Sequence, residues 1–70
     1  MVSVGMKVQF DPFEYVHSSG SVDYRGSKVV GTVVMVNYEH QWFSVEYGKD
    51  PIMKTSFKFC DIGQVVTVLG

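Results

Sequence analysis

The segment 28–47, KVVGTVVMVNYEHQWFSVEY, constrains the fold more than any other part of this 70-residue chain. Its first half, 29–36, holds six Val or Met residues among eight, and β-branched side chains at this density disfavour a helix and suit a pleated strand. Gly31 interrupts that run, which predicts a bend or bulge, and Asn37 marks the turn that ends it. The segment therefore predicts the central β-hairpin of a small β-protein.

The second strand of this hairpin alternates with a period of two, so its side chains fall on two faces. One face carries Phe43, Val45 and Tyr47, and the other carries Trp42, Ser44 and Glu46. The charge of Glu46 assigns the second face to solvent. We therefore expect Phe43, Val45 and Tyr47 in the core and Trp42 on the outside.

Turn residues divide the rest of the chain into three more short strands. They are 5–10, which Asp11-Pro12 ends, 52–59, which follows the turn 48–51, and 65–69. On the strand 52–59 we expect Thr55, Phe57 and Phe59 to face the core. A long polar loop at 13–27 follows the first strand, a 3₁₀ turn is expected at 60–63, and residues 1–5 are expected to form a loose leader.

This order of elements predicts one all-β domain over residues 1–70, a small SH3-like barrel of about five antiparallel strands. A chain this short buries only about 60% of its unfolded surface, so its stability is expected to be small. The hydrophobic content of 46% is that of a folded chain. No apolar run approaches the length of a membrane-spanning helix, and no signal peptide is recognisable. We therefore expect a soluble, cytoplasmic protein.

Two segments resemble eukaryotic SH3 domains. FDPFEY at 10–15 resembles the aromatic and acidic segment that opens their long loop, and Trp42-Phe43 resembles their paired aromatic residues. The resemblance implies that Tyr15 and Trp42 line a groove for proline-rich peptides. Residues 60–63, CDIG, stand where that family has Pro-x-x-Tyr, so two of the groove residues of the family are missing.

A second resemblance covers roughly residues 28–69. GTVV at 31–34, NYEHQWF at 37–43 and SFKFCDIG at 56–63 are similar to small uncharacterised proteins encoded in bacterial phage and prophage regions. The resemblance implies a bacterial or viral origin, with a bacterial or host cytoplasm as its location, and it implies no activity.

Catalytic and metal-binding constellations are missing from the sequence. His17 and His40 have no nucleophile motif, phosphate loop or paired carboxylates around them. One cysteine, Cys60, and two histidines lack the close pair spacing of zinc sites. We expect no enzyme activity, no metal and no cofactor, and we expect Cys60 to be a small buried hydrophobe.

Surface aromatic residues are the strongest candidates for a site, because such residues anchor protein interfaces. The four candidates are Tyr15, Tyr24, Tyr38 and Trp42. They predict either a surface that binds a protein partner or a second copy, or a small additional core over one end of the barrel. An aromatic cage for a methylated lysine is a less favoured use of the same rings.

A stripe of lysines offers an alternative. Lys49, Lys54 and Lys58 follow one another along the fourth strand and its turn, and with Trp42 stacking on bases they could bind nucleic acid. Exposed lysines also keep edge strands from pairing, and the net charge of −1 argues against a nucleic-acid binder.

Overall fold

A computed structural model describes residues 2–12 and 28–70. The predicted long loop at 13–27 lies outside these described residues. The elements in chain order are β1 (Lys7–Phe10), β2 (Val29–Asn37), β3 (Trp42–Gly48), β4 (Ile52–Lys58), a 3₁₀ turn (Phe59–Asp61) and β5 (Val66–Val68). The 3₁₀ turn begins one residue before the predicted position.

The five strands form one antiparallel sheet in the order β4-β3-β2-β1-β5. The all-β prediction with five antiparallel strands is therefore confirmed. As far as residues 2–12 and 28–70 show, β4 and β5 are the two edges and the sheet is open. Strand β2 pairs with β1 along Val29–Thr32 and with β3 from Thr32 to Asn37, so it links the two halves of the sheet.

The sheet curls strongly over its inner face. Phe10 on β1 and Phe57 on β4 have ring centroids 5.0 Å apart. In a flat sheet the two strands would lie about 14 Å apart, since each neighbouring strand adds nearly 5 Å. Phe10 also meets Tyr47 of β3 edge-on, again at 5.0 Å. The curvature encloses a core that neither half of the sheet could bury alone.

The core contains the residues that the alternation predicts. Its fully or nearly buried side chains are Val2, Val8, Phe10, Val33, Phe43, Val45, Phe57 and Val66. Tyr47 and Phe59 are half-buried and pack against this cluster. The predicted inner faces of β3 and β4 are therefore confirmed, with Thr55 only half-buried.

Gly31 faces the core where the two halves of the sheet meet. A Cβ atom at this position would overlap with Val45 Cγ1 and would lie 2.8 Å from the carbonyl oxygen of Glu46. Gly31 thus allows β3 to approach β2 closely. The bulge lies elsewhere, between Val33 and Met35, where the register with β3 shifts.

Residues 2–5 of the predicted loose leader are an integral part of the fold. Val2 is 1% exposed, and its carbonyl oxygen accepts a hydrogen bond from Tyr38 Oη at 2.8 Å. The backbone N–H of Gly5 donates to the carbonyl of Val33, and Met6 accepts from the N–H of Val33. The expectation fails because the apolar side chain of Val2 fills the core next to β2.

Ser44 is buried, although the sequence places it on the solvent face. It lies on the outer face as predicted, but β3 is an inner strand and Ser44 sits between Met35 and Ser56. Its Oγ is 3.1 Å from Ser56 Oγ, so the buried hydroxyl has a partner. A short side chain on a strand with neighbours on both sides has little contact with water.

Cys60 is exposed, which corrects the prediction that it is buried. In a 3₁₀ turn, residues three apart share a side. Phe59 and Ile62 both pack against the core, so Cys60 lies off that side.

We therefore expect a thiol reagent to label Cys60 in the native protein at a rate within about tenfold of that in denaturant, because an exposed thiol is accessible in both states. Stopped-flow labelling with and without urea measures the two rates. Native labelling that is slower by about a hundredfold or more would contradict the exposed position.

Candidate functional site

The outer face of the sheet carries polar side chains in register across three strands. Trp42 is paired with Asn37 on one side and Lys58 on the other. Because Phe43 is buried beneath the sheet, its neighbour Trp42 lies on the opposite, outer face, as the alternation predicts. Trp42 is half-buried and not fully exposed. Part of the side chain is therefore packed against its neighbours and part of it is accessible at the surface.

A groove of about 480 Å³ opens beside Trp42. It lies along residues 55–58 of β4 and also borders the β2–β3 connection and the 3₁₀ turn. Its lining consists of His40, Trp42, Thr55, Ser56, Phe57, Lys58 and Asp61. A cavity of this size fits a few side chains of a peptide or one small molecule.

The β2–β3 connection, residues 38–41, holds His40 at the end of this groove. Asn37 Oδ1 accepts a hydrogen bond from the backbone N–H of His40 at 2.9 Å, so the asparagine side chain caps the turn three residues ahead. Gln41 has a φ of 62°, in the left-handed region. Its carbonyl oxygen accepts from the N–H of Phe59 at 2.9 Å, so the connection is fixed to the start of the 3₁₀ turn.

Asp61 forms the other wall of this end of the groove. Its Oδ2 accepts a hydrogen bond from the backbone N–H of Lys58 at 2.9 Å. The groove therefore has a carboxylate and an ammonium group on its rim, with an indole between two strands and a serine on its floor. This combination suits recognition of a polar chain segment with one apolar side chain.

Tyr38 is not part of this groove. Its ring meets Phe59 edge-on at 6.0 Å, and its hydroxyl donates to the carbonyl of Val2. Phe59 and Val2 belong to the inner side of the sheet, whereas Trp42 lies on the outer face. The structure thus separates two of the four predicted aromatic residues, although Tyr38 keeps 51% of its surface exposed. Tyr15 and Tyr24 lie outside the described residues.

The three predicted lysines do not form one stripe. Lys58 is directly opposite Trp42, and Lys54 lies on the same face opposite Glu46. Lys49 is in the turn between β3 and β4, beyond the last strand pair. Lys7 of β1 lies on the outer face too, and its Nζ donates to Thr32 Oγ1 at 2.7 Å.

His40, Ser56 and Asp61 belong to the groove, and the sequence did not single them out as site residues. Asn37 lies three residues before His40 and is a residue type that caps turns, so it is a local signal that could have placed His40. Asp61 lies three residues after Lys58, the spacing of a cap on a turn. Nothing in the sequence shows that both turns meet beside Trp42.

Within residues 2–12 and 28–70, no three His, Cys, Asp or Glu side chains cluster in a way that could hold a metal ion. The described residues also include no helix with the length and apolarity needed to span a membrane.

Comparison with known proteins gives no relatives: no family model, curated protein or solved structure matches this chain.

Proposed function

We propose that the protein is a non-catalytic binding module, built as an SH3-like barrel, whose outer groove binds a segment of a partner protein. The observation that carries this proposal is the position of Trp42, half-buried at the open groove and flanked by Lys58. Aromatic residues held in this way by their neighbours supply a large share of the binding energy at protein interfaces.

The barrel part of the proposal is supported by topology. The antiparallel order β4-β3-β2-β1-β5, the β2 strand shared by two half-sheets and the 3₁₀ turn before the last strand are all features expected of an SH3-like barrel. The 5.0 Å contact between Phe10 and Phe57 supports strong curvature.

The rim of the groove favours a protein over other ligands. It carries both signs of charge, with Lys58 and Asp61, and its floor includes Ser56. Protein interfaces combine an apolar or aromatic centre with a mixed polar rim. The partner is a host protein if the chain is encoded by a phage, as the sequence resemblance implies, or else a second copy of this chain.

Nucleic acid is the second candidate, because Lys58 lies directly opposite Trp42 and both are on the outer face with Lys54. A base stacked on the indole could have its phosphate near either lysine. The carboxylates of Glu46 and Asp61 lie on or beside the same surface, and they repel phosphate. The net charge of −1 also opposes this candidate.

Replacing Trp42 with alanine tests the protein-binding proposal. Because the ring is half-buried, we expect a stability loss of about 1 kcal/mol, which lowers the Tm of a domain this small by about 4–8 °C. Removal of an anchor is expected to weaken binding by about 2 kcal/mol or more. Thermal melts measure the first effect, and capture from a bacterial lysate with equal amounts of each bait measures the second.

Trp42→Phe is the matched control for this experiment, since it keeps an aromatic ring at the groove and should retain part of the binding. A drop in Tm far above 8 °C for Trp42→Ala would show that the indole is a structural element, and the binding role would be lost with it. Repeating the capture over a range of salt concentrations separates the two candidates. Affinity for a nucleic acid falls steeply with added salt.

A further inference from the structure

Strand β4 is an edge of the described sheet, and the direction of its backbone groups follows from two hydrogen bonds. The N–H of Phe59 donates to Gln41 on the β3 side. The N–H of Lys58 points the other way, to Asp61 Oδ2. Because backbone groups alternate sides along a strand, those of Thr55 and Phe57 face β3 and those of Lys54 and Ser56 face outward.

The side chains of β4 support this assignment. Ser56 and Ser44 are opposite each other with their Oγ atoms 3.1 Å apart. Close side chains are typical of the pairs in an antiparallel ladder that exchange no backbone hydrogen bonds. Ser56 therefore directs its N–H and C=O away from β3. Together, Lys54 and Ser56 offer two donors and two acceptors to an added strand.

Asp61 limits this edge at one end. By accepting the N–H of Lys58, it occupies the next outward donor of β4. An added strand would therefore pair along Lys54 and Ser56 and end beside Lys58. Along Ser56 and Lys58 it would border the groove, which these two residues help to line.

The charges on β4 indicate which kind of partner its edge would bind. Lys54 and Lys58 lie on the outer face of β4, and every second side chain of an added strand would lie beside them. Acidic side chains at those positions would lie next to Lys54 and Lys58, whereas Glu46 lies one strand further away on β3 and the Asp61 carboxylate already accepts the N–H of Lys58. A second copy that paired through its own β4 would bring lysines opposite or diagonal to lysines, which is unfavourable. The edge therefore favours a partner of opposite charge over self-association.

We propose that β4 accepts an extended acidic segment of a partner protein as a sixth, antiparallel strand, with its acidic side chains beside Lys54 and Lys58. Antiparallel pairing continues the arrangement of all the neighbouring strands. The inference rests on the proposed protein-binding function and names the chemistry of the partner. Main-chain hydrogen bonds supply affinity in this mode of recognition, and alternate side chains supply specificity.

The probe is the synthetic peptide acetyl-Glu-Val-Glu-Val-Glu-Val-Glu-amide, and the readout is amide hydrogen exchange followed by NMR. In the free protein, the amides of Lys54 and Ser56 should exchange faster than those of Thr55 and Phe57. With 1 mM peptide and a Kd below about 0.5 mM, we expect exchange at Lys54 and Ser56 to slow by about threefold or more.

Two N-methylated peptides give a matched chemical control. In the bound peptide, the backbone groups of the Glu residues opposite Lys54 and Ser56 would point toward β4 and pair with it. The backbone groups of the Val residues would point away from β4. N-methylation of the Glu nitrogens should therefore abolish the protection, and N-methylation of the Val nitrogens should leave it. If both peptides bind equally well, the acidic segment does not add as a strand.

Replacing a lysine of the protein with glutamate tests whether the edge recognises acidic side chains. Lys58→Glu should weaken binding of the acidic peptide by about tenfold, a loss of about 1.4 kcal/mol. Lys49→Glu is the control, because it makes the same change of charge in the turn beyond the strand. Equal losses in the two variants would indicate non-specific attraction and would overturn the proposed placement.

The other possible results of the peptide experiment also support or overturn the proposal. No protection by the acidic peptide, or equal protection by the same peptide with Lys in place of Glu, overturns the proposal. If exchange at Lys54 and Ser56 slows as the protein concentration rises without peptide, a second copy of this chain pairs with β4 instead. If a thymidine oligonucleotide shifts the NMR signals of Trp42 and Lys58 and the acidic peptide does not bind, the result favours nucleic acid as the ligand. If the peptide binds equally to wild type and Trp42→Ala, the edge inference stands and the role of Trp42 as anchor fails.

Discussion

Replacing Phe57 with alanine is expected to leave much of the protein unfolded at 25 °C. Phe57 is 2% exposed and contacts the rings of Phe10 at 5.0 Å and Phe43 at 5.7 Å. Removing a buried aromatic ring costs about 3–5 kcal/mol. A domain of this size has about 3–5 kcal/mol of stability in total, so the loss matches the whole free energy of unfolding. Far-UV circular dichroism in a urea titration measures the effect.

Phe57→Leu is the control for this change. It keeps most of the buried volume, and we expect a cost below about 1.5 kcal/mol and a folded protein. The comparison is informative because Phe57 joins β4 to β1 through Phe10, two strands that are not neighbours in the sheet. If Phe57→Ala melts at the wild-type temperature, the curled arrangement of the sheet is incorrect.

The parts of the fold that the sequence predicts are those that depend on local periodicity. The alternation of Phe43, Val45 and Tyr47 assigns the inner face of β3 correctly, because a strand of period two must place such residues together. The positions of the turns follow in the same way from residues such as Asp50-Pro51. Strand ends differ by one or two residues, since the last pairs depend on the neighbouring strand.

The failures concern residues whose environment is set by distant parts of the chain. Val2 is buried because β2 and the 38–41 connection lie next to it, and nothing in residues 1–5 encodes that neighbourhood. Cys60 is exposed because the 3₁₀ turn directs Phe59 and Ile62 inward. Ser44 is buried because of its cross-strand neighbours and despite its polarity.

The candidate site was predicted only in part for the same reason. Trp42 was placed on the outer face by alternation, which is a local property. Tyr38 is only four residues away, yet the turn that Asn37 caps and the hydrogen bond to Val2 place it against the inner side. Sequence distance therefore gave no guide to which aromatic residues converge. Asp61 reaches the candidate site because the 3₁₀ turn places its carboxylate against the backbone N–H of Lys58, at the end of β4.

Replacing Gly31 with alanine is expected to destabilise the domain by about 3 kcal/mol, near the upper end of the usual cost of overpacking. The added Cβ would overlap with Val45 Cγ1 and would lie 2.8 Å from the carbonyl oxygen of Glu46. The valine methyl group can move, but the backbone oxygen belongs to an inner strand paired on both sides. We therefore expect β2 and β3 to separate locally, which a lower urea midpoint would report.

A double-mutant cycle with Val45→Ala separates the two contacts. Val45 is fully buried, so Val45→Ala alone should be destabilising. In Gly31→Ala/Val45→Ala the nearest contact is gone, and the pair should be less destabilised than the sum of the single changes by about 1 kcal/mol. Strict additivity would show that the Glu46 carbonyl alone opposes the methyl group. A stabilising effect of Gly31→Ala would contradict the close approach of β3 to β2, and with it the reason for a glycine at the junction of the two half-sheets.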